Sequence, residues 1–138
     1  MEEDLSDSSQ QPRSPAPVVL VVDDDPDVSL VAATILGQQG YSVLAASSGA
    51  EALDLLRQRP EIAILFTDIV MPGDVDGFEL AHQARLLRPA LRIVYTSGYI
   101  EKIPWGEKGI GYGPLLSKPW RQDQLLALLG SMVPGGAG

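Results

Sequence analysis

The chain contains no cysteine, which excludes disulfide bonds and thiolate metal sites. Basic residues are also scarce, since 10 lysines and arginines stand against 18 acidic residues and the formal net charge is -8. Because binding to a polyanion needs a clustered basic face, this balance argues against a nucleic-acid surface. We therefore expect the partners to be proteins, cations or small molecules.

Long apolar runs are absent as well. No segment approaches the ~18 consecutive apolar residues of a membrane span, and residues 1–17 are too acidic and polar for a signal peptide. We therefore expect a soluble, cytoplasmic protein with no membrane partner. With 138 residues, of which 45% are hydrophobic, the chain has the size and composition of one globular domain.

The two ends of the chain differ in composition from the part between them. Residues 1–17 are rich in serine, proline, glutamine and acid, and such a segment cannot bury enough apolar area to offset chain entropy. They are predicted to be a disordered tail or linker, and the glycine-rich residues 134–138 a flexible C-terminus. The folded domain is predicted to span residues 18–133.

Within this domain, short apolar runs alternate with segments of helical periodicity. Several runs lack the polar alternation of a half-exposed strand, which is typical of parallel strands with helices on both faces. The predicted strands are residues 18–22, 41–46, 62–67, 92–97 and 113–117. Asp25, Ser48 and Asp76 stand where N-caps are expected for the first three helices.

This alternation predicts a doubly wound α/β fold with a five-stranded parallel sheet. The fourth crossover, residues 99–114, carries Pro104, Pro114 and four glycines where a helix would be expected. Any helix in this segment is therefore predicted to be weak or short.

Polar side chains follow the predicted strands at their carboxyl ends, which meet at one edge of a parallel sheet. They are Asp23 and Asp24 after the first strand, Asp68 after the third, Ser97 as the last residue of the fourth and Lys118 after the fifth. Two unit charges ~4 Å apart interact by ~4 kcal/mol at a dielectric of ~20, so three carboxylates need compensating charge. Lys118 and a divalent cation would supply it, and oxygen ligands favour Mg²⁺ or Mn²⁺ over Zn²⁺.

Four motifs carry a family resemblance. In this order and spacing, VLVVDDDPDV, LFTDIVMPGDVDGFEL, IVYTSGY and LLSKPW resemble the receiver domain of two-component response regulators over residues 18–133. The resemblance implies a flavodoxin-like strand order of 2-1-3-4-5. It also implies a phosphoacceptor that takes a phosphoryl group from a histidine kinase or hybrid kinase and switches a surface for a downstream protein. Such a domain is no enzyme beyond assisting its own phosphotransfer and dephosphorylation. The resemblance is compatible with a homodimer.

The resemblance implies a role for each residue at the sheet edge. Asp68 would be the phosphoacceptor and would bind Mg²⁺ together with Asp24, while Asp23 would act largely through a bound water. Mn²⁺ could substitute for Mg²⁺. The backbone carbonyl of Val70 matches the third protein ligand of the metal. Lys118 matches the lysine that neutralises the phosphoryl oxygens.

Ser97 matches the hydroxyl that turns towards the phosphoryl group, and the bond between Lys118 and Pro119 is expected to be cis. Leu115 departs from the family pattern, because a tyrosine or phenylalanine often stands three residues before the lysine and couples to that hydroxyl. This departure supports a second hypothesis, an interaction module that works without phosphorylation.

The loop MPGDVDG is one residue longer than the common form, a variant associated with receivers of hybrid sensor kinases. Because no output domain follows the predicted fifth helix, we expect either a single-domain regulator or a receiver taken from a longer protein.

Two other interpretations of the acidic run are weaker. Asp23, Asp25 and Asp27 have the 1, 3, 5 spacing of a calcium loop, but Val28 and Thr34 occupy the sixth and twelfth positions, where glycine and glutamate are needed. The run also offers the Asp-x-Asp pair of haloacid-dehalogenase phosphatases, although the downstream motifs fit receivers better.

The single histidine, His82, is predicted to face solvent on the third helix, about opposite Leu80. A phosphohistidine relay within this chain is therefore not expected.

Overall fold

The structure is a computed structural model and describes residues 17–98 and 112–132. Strands and helices alternate in the order β1 (Val18–Val22), α1 (Pro26–Gln38), β2 (Ser42–Ala46), α2 (Gly49–Gln58), β3 (Ile62–Asp68), α3 (Gly77–Leu87), β4 (Arg92–Ser97), β5 (Leu115–Ser117) and α4 (Gln122–Gly130). None of the helices in these two ranges combines the length and the hydropathy needed to cross a membrane. The N-terminal tail apart from Pro17, residues 134–138, and the weak helix predicted in the fourth crossover all lie outside the described residues.

The five strands form one parallel sheet in the order β2-β1-β3-β4-β5. This arrangement confirms the predicted α/β class and the strand order 2-1-3-4-5. Four strands match their predicted bounds to within one residue. The fifth begins at Leu115 rather than at residue 113, because Pro114 has no N–H with which to extend the ladder.

The sheet separates two hydrophobic cores. Leu20 and Leu65 point to the core under α2 and α3, whereas Val21 and Phe66 point to the core under α1 and α4. Successive residues of a strand face opposite sides of the sheet, so both sets of side chains are buried here. This explains why the central strands lack polar alternation.

The predicted N-caps are confirmed. The side chains of Asp25, Ser48 and Asp76 accept hydrogen bonds from first-turn backbone N–H groups at 2.9, 3.1 and 2.8 Å. Ser48 and Glu51 form only half of a capping box, because the Glu51 carboxylate accepts from the Ser47 N–H at 2.8 Å instead of from the Ser48 N–H. Each cap fixes the point at which the chain leaves the sheet edge and turns into a helix.

Three side chains lie elsewhere than their helical periodicity predicts. Val31 shares a helical stripe with Ala32 and Leu36, and Leu87 shares one with Leu80, but Val31 and Leu87 are 50% and 42% exposed. His82 was expected in solvent, yet it is half-buried and its Nδ1 lies 2.7 Å from Tyr112 Oη. The chain before β5 contacts α3 here, since the Tyr112 carbonyl also accepts from Arg85 Nη2 at 3.2 Å. Periodicity along one helix cannot show where a distant segment will cover it.

Candidate functional site

The polar residues predicted at the strand ends come together at one edge of the sheet. Asp23 and Asp24 directly follow β1, Asp68 is the last residue of β3, Ser97 ends β4, and Lys118 directly follows β5. Because β1, β3, β4 and β5 are consecutive in the parallel sheet, these ends are neighbours in space. Asp23, Asp24, Asp68 and Lys118 line a groove of about 950 Å³.

Lys118 bridges two of the carboxylates. Its Nζ donates to Asp23 Oδ2 at 2.7 Å and to Asp68 Oδ2 at 3.2 Å. The lysine side chain is 20% exposed, and the two aspartate side chains are 2% and 9% exposed. Such shielded charges are tolerated only when they are paired, so the three groups depend on one another.

Three carboxylates share this site. Asp23, Asp24 and Asp68 each offer one oxygen, and these oxygens all lie within 4.8 Å of one another. Asp23 and Asp68 are buried, whereas Asp24 is exposed, and all three line the groove. One ammonium group cannot neutralise three carboxylates, so this acidic group could hold a metal ion.

The ionisation of the site reflects its burial. Burial raises the pKa of Asp68, the charge of Lys118 lowers it and the charge of Asp23 raises it, so that the net shift is upward. For Lys118, burial lowers the pKa, but the hydrogen bond to Asp23 and the charges of both aspartates raise it by more. The site therefore keeps its lysine charged and would gain from further positive charge.

The loops after β1 and β3 hold the carboxylates in place. Asp23 Oδ1 accepts from the Asp25 N–H at 2.9 Å, which leaves Oδ2 directed at the lysine. Asp68 Oδ1 accepts from the Val70 N–H over a longer distance of 3.4 Å. Val70 itself is 38% exposed and lines the groove. The metal-ligand role predicted for its carbonyl stays a prediction.

Ser97 lies beside the lysine segment but is fully buried. Its carbonyl accepts from the Lys118 N–H at 3.0 Å, which joins the end of β4 to the residue after β5. The neighbouring Gly98 lines the groove, and a Cβ there would lie 3.6 Å from the Lys118 Cβ. The switching role of the Ser97 hydroxyl stays a prediction. The expected cis bond between Lys118 and Pro119 is confirmed.

Thr96 was not identified from the sequence. Its hydroxyl donates to the Leu116 carbonyl at 2.7 Å and accepts from Trp120 Nε1 at 2.8 Å. The sequence signal that could have identified it is a polar residue inside a buried strand, directly before Ser97. Trp120 also packs against Phe66, with ring centroids 5.3 Å apart.

Apolar side chains form another part of the groove, beside Asp25 and Asp27. We call this surface the apolar wall, and it consists of Val28, Val31, Met71, Pro72 and Trp120. Val31 is 50% exposed. The site thus places a buried acidic cluster next to an apolar surface that a second molecule could cover.

The sequence is similar to those of known receivers. The family described as "Response regulator receiver domain" matches residues 19–130. Sensor kinase CckA of Brucella abortus is 35% identical over 121 residues, which make up 83% of this chain and 12% of that protein. Response regulator receiver protein CpdR of the same organism is 37% identical over 81 residues, or 59% of this chain and 66% of that protein.

Solved structures agree with these sequence relatives. A response regulator receiver protein from Sinorhizobium medicae has a TM-score of 0.75 and 32% identity, over 85% of this chain and 94% of that one. The receiver domain of hybrid histidine kinase CckA has a TM-score of 0.71 and 30% identity, over 83% and 97% of the two chains. The chain therefore corresponds to nearly the whole of these solved domains, but to a small part of the CckA kinase.

Proposed function

This chain belongs to the response regulator receiver family of signalling domains, and from that premise we propose that Asp68 accepts a phosphoryl group from a histidine kinase or hybrid kinase. The phosphorylated domain then presents a changed surface to a downstream protein. One observation carries the proposal. Asp68 ends β3 at the groove, with Lys118 Nζ 3.2 Å from its Oδ2 and two further carboxylates beside it.

The reaction is a transfer from a phosphohistidine to a carboxylate. An oxygen of Asp68 attacks phosphorus, the new O–P bond forms as the N–P bond breaks, and the departing imidazole keeps the electron pair and takes up a proton. Negative charge on the phosphoryl oxygens must be neutralised during transfer. Lys118 is already hydrogen-bonded to the acceptor carboxylate, so its ammonium group is close enough for this task.

The residues present fit Mg²⁺, with Mn²⁺ as a substitute. Asp23, Asp24 and Asp68 offer only oxygen ligands, and hard divalent cations prefer oxygen. The carbonyl of Val70 would complete the set of protein ligands. When bound, the ion supplies positive charge for the phosphoryl oxygens.

The apolar wall supports a protein as the phosphodonor. Val31 is 50% exposed beside the acceptor groove, and exposed apolar surface next to a reactive group is typical of an interaction site. We propose that a kinase or phosphotransfer domain covers this wall while its phosphohistidine reaches Asp68.

Incubation with acetyl phosphate and Mg²⁺ tests the phosphoacceptor. Intact mass spectrometry should show one added phosphate on the wild type and none on Asp68→Asn. Asp54→Asn is the matched control, because Asp54 is an exposed aspartate in a surface ion pair with Arg57. Labelling of Asp68→Asn at the wild-type level would overturn the proposal.

Leu115 favours a second candidate function, an interaction module that works without phosphorylation. It pairs with Tyr95 in the sheet and packs against the core, where the family often has an aromatic residue. Under this second proposal a protein partner would bind wild type and Asp68→Asn with equal affinity, even in the presence of Mg²⁺ and acetyl phosphate. A change in affinity on phosphorylation would contradict it.

A further inference from the structure

Thr96 connects three segments of the site. The residue is 2% exposed within β4. Its carbonyl accepts from the Ile69 N–H at 3.0 Å, its hydroxyl donates to the Leu116 carbonyl at 2.7 Å, and the same hydroxyl accepts from Trp120 Nε1 at 2.8 Å. The donor and an acceptor position of the hydroxyl are therefore both in use.

The two hydroxyl bonds flank the lysine. Leu116 lies two residues before Lys118 and Trp120 lies two residues after it, so one hydroxyl fixes the chain on both sides. Trp120 is further held by its ring contact with Phe66. Between these points, the Lys118 N–H donates to the Ser97 carbonyl at 3.0 Å.

These hydrogen bonds on both sides of Lys118 matter because little regular secondary structure fixes its position. The strand before it, β5, is three residues long and lies at the edge of the sheet, paired with β4 alone. The next helix, α4, begins only at Gln122. A short edge strand is bound by few ladder hydrogen bonds, so side-chain bonds determine where the following residues lie.

We propose that Thr96 is a positioning residue for phosphotransfer, whose hydroxyl holds Lys118 Nζ at the acceptor carboxylate. The same residue also fixes the acceptor strand, because its carbonyl binds the N–H of Ile69, directly after Asp68. Thr96 thus sets the distance between the nucleophile and the charge that assists it. This inference rests on the proposed function of Asp68.

The test compares Thr96→Val with Thr96→Ser. Valine has nearly the shape of threonine but leaves Trp120 Nε1 and the Leu116 carbonyl without the hydroxyl, whereas serine retains it. We expect the phosphorylation rate constant with acetyl phosphate at saturating Mg²⁺ to fall about tenfold in Thr96→Val, since a misplacement of ~1 Å can cost up to ~100-fold. Thr96→Ser should retain most of the wild-type rate.

Mg²⁺ affinity separates positioning from general damage. The carboxylates lie at the carboxyl ends of β1 and β3 rather than in the lysine segment, so a displaced lysine should leave the Mg²⁺ dissociation constant of Thr96→Val equal to or below the wild-type value. Thr34→Val is the matched control, because it removes an exposed hydroxyl that donates to the Leu30 carbonyl on α1. This control should phosphorylate at the wild-type rate.

The inference is overturned if folded Thr96→Val phosphorylates within about twofold of wild type, a change too small for a displaced catalytic group. Parallel loss of rate and of Mg²⁺ affinity without rescue by serine also overturns it. Should Thr96→Val not fold, Trp120→Phe removes one of the two hydroxyl bonds and should slow transfer about threefold, as a partial misplacement. An unchanged phosphorylation rate in Trp120→Phe would also overturn the inference. Failure of the wild type to phosphorylate would instead remove the proposed function.

Discussion

Replacement of Lys118 by methionine should have opposite effects on metal binding and on phosphoryl transfer. The substitution keeps much of the apolar stem and removes the ammonium group that binds Asp23 and Asp68 at 2.7 and 3.2 Å. Unit charges about 3 Å apart attract by roughly 5 kcal/mol at a dielectric of ~20, although desolvation offsets much of this. Loss of one partner from a buried pair typically destabilises a protein by about 3–5 kcal/mol.

A divalent cation must compete with Lys118 for the oxygens of these aspartates. If this competition weakens Mg²⁺ binding by only ~1.4 kcal/mol, its removal lowers the Mg²⁺ dissociation constant tenfold. We therefore expect the Mg²⁺ dissociation constant of Lys118→Met to fall by about tenfold or more, as measured by isothermal titration calorimetry. Phosphorylation by acetyl phosphate at saturating Mg²⁺ should slow by about 100-fold, the usual effect of removing a charge-stabilising donor.

Arg57→Met is the control for the lysine substitution. Arg57 pairs with Asp54 at the surface, with side chains 53% and 67% exposed, and such pairs contribute little. The Arg57→Met variant should keep the wild-type Mg²⁺ affinity and the wild-type phosphorylation rate. Weaker or unchanged Mg²⁺ binding in Lys118→Met would refute the competition between lysine and metal, and an unchanged rate would refute the role of the ammonium group in transfer.

Two further predictions concern stability. In EDTA at pH 7, Asp68→Asn should have a larger free energy of unfolding in urea than wild type, because burial raises the pKa of Asp68 and thus disfavours its ionised form in the fold. At low pH the Asp68 side chain is neutral in both the folded and the unfolded state, as asparagine is, so the unfolding free energies of the two proteins should converge as pH falls towards about 4, the pKa of aspartate in the unfolded chain. Because the folded-state pKa is raised, wild type loses unfolding free energy relative to Asp68→Asn as pH rises from there through the folded-state pKa. A smaller unfolding free energy for Asp68→Asn than for wild type at pH 7 would contradict this. Gly77→Ala should lose about 1–3 kcal/mol of unfolding free energy by overpacking, because a Cβ there would lie 2.2 Å from the Asp68 carbonyl oxygen. The control Gly37→Ala, on an exposed face with no atom within 4 Å, should gain up to ~1 kcal/mol, and equal effects of the two alanines would refute the packing argument.

The α/β class and the polar residues at the strand ends followed from local signals, whereas the strand order and the roles of these residues came from the family resemblance. The runs that form β1 and β3 lack polar alternation because both faces are buried, and this indicated parallel strands with helices on each side. Parallel topology then requires the strand ends to meet, so Asp23, Asp68 and Lys118 could be brought together from the sequence alone. The distances between these residues and their ion pairing could not be predicted from the sequence, because they depend on the path of the loops.

Contacts between distant segments were the part that sequence could not predict. The hydroxyl of Thr96 finds Leu116 and Trp120 through the register of β4 and β5 and through the turn after Lys118. His82 is covered for the same kind of reason, since the segment around Tyr112 contacts α3. Hydrophobic periodicity describes one element at a time and carries no information on such neighbours.

The site of the phosphoryl group is the most direct test of the account. After reaction with acetyl phosphate and Mg²⁺, borohydride reduction converts an aspartyl phosphate into homoserine, which peptide sequencing by mass spectrometry locates. Trypsin should release residues 58–85 as one peptide, which contains Asp68, Asp74 and Asp76. We expect homoserine at position 68 alone. Homoserine at position 74 or 76, or in a peptide that lacks Asp68, would contradict it.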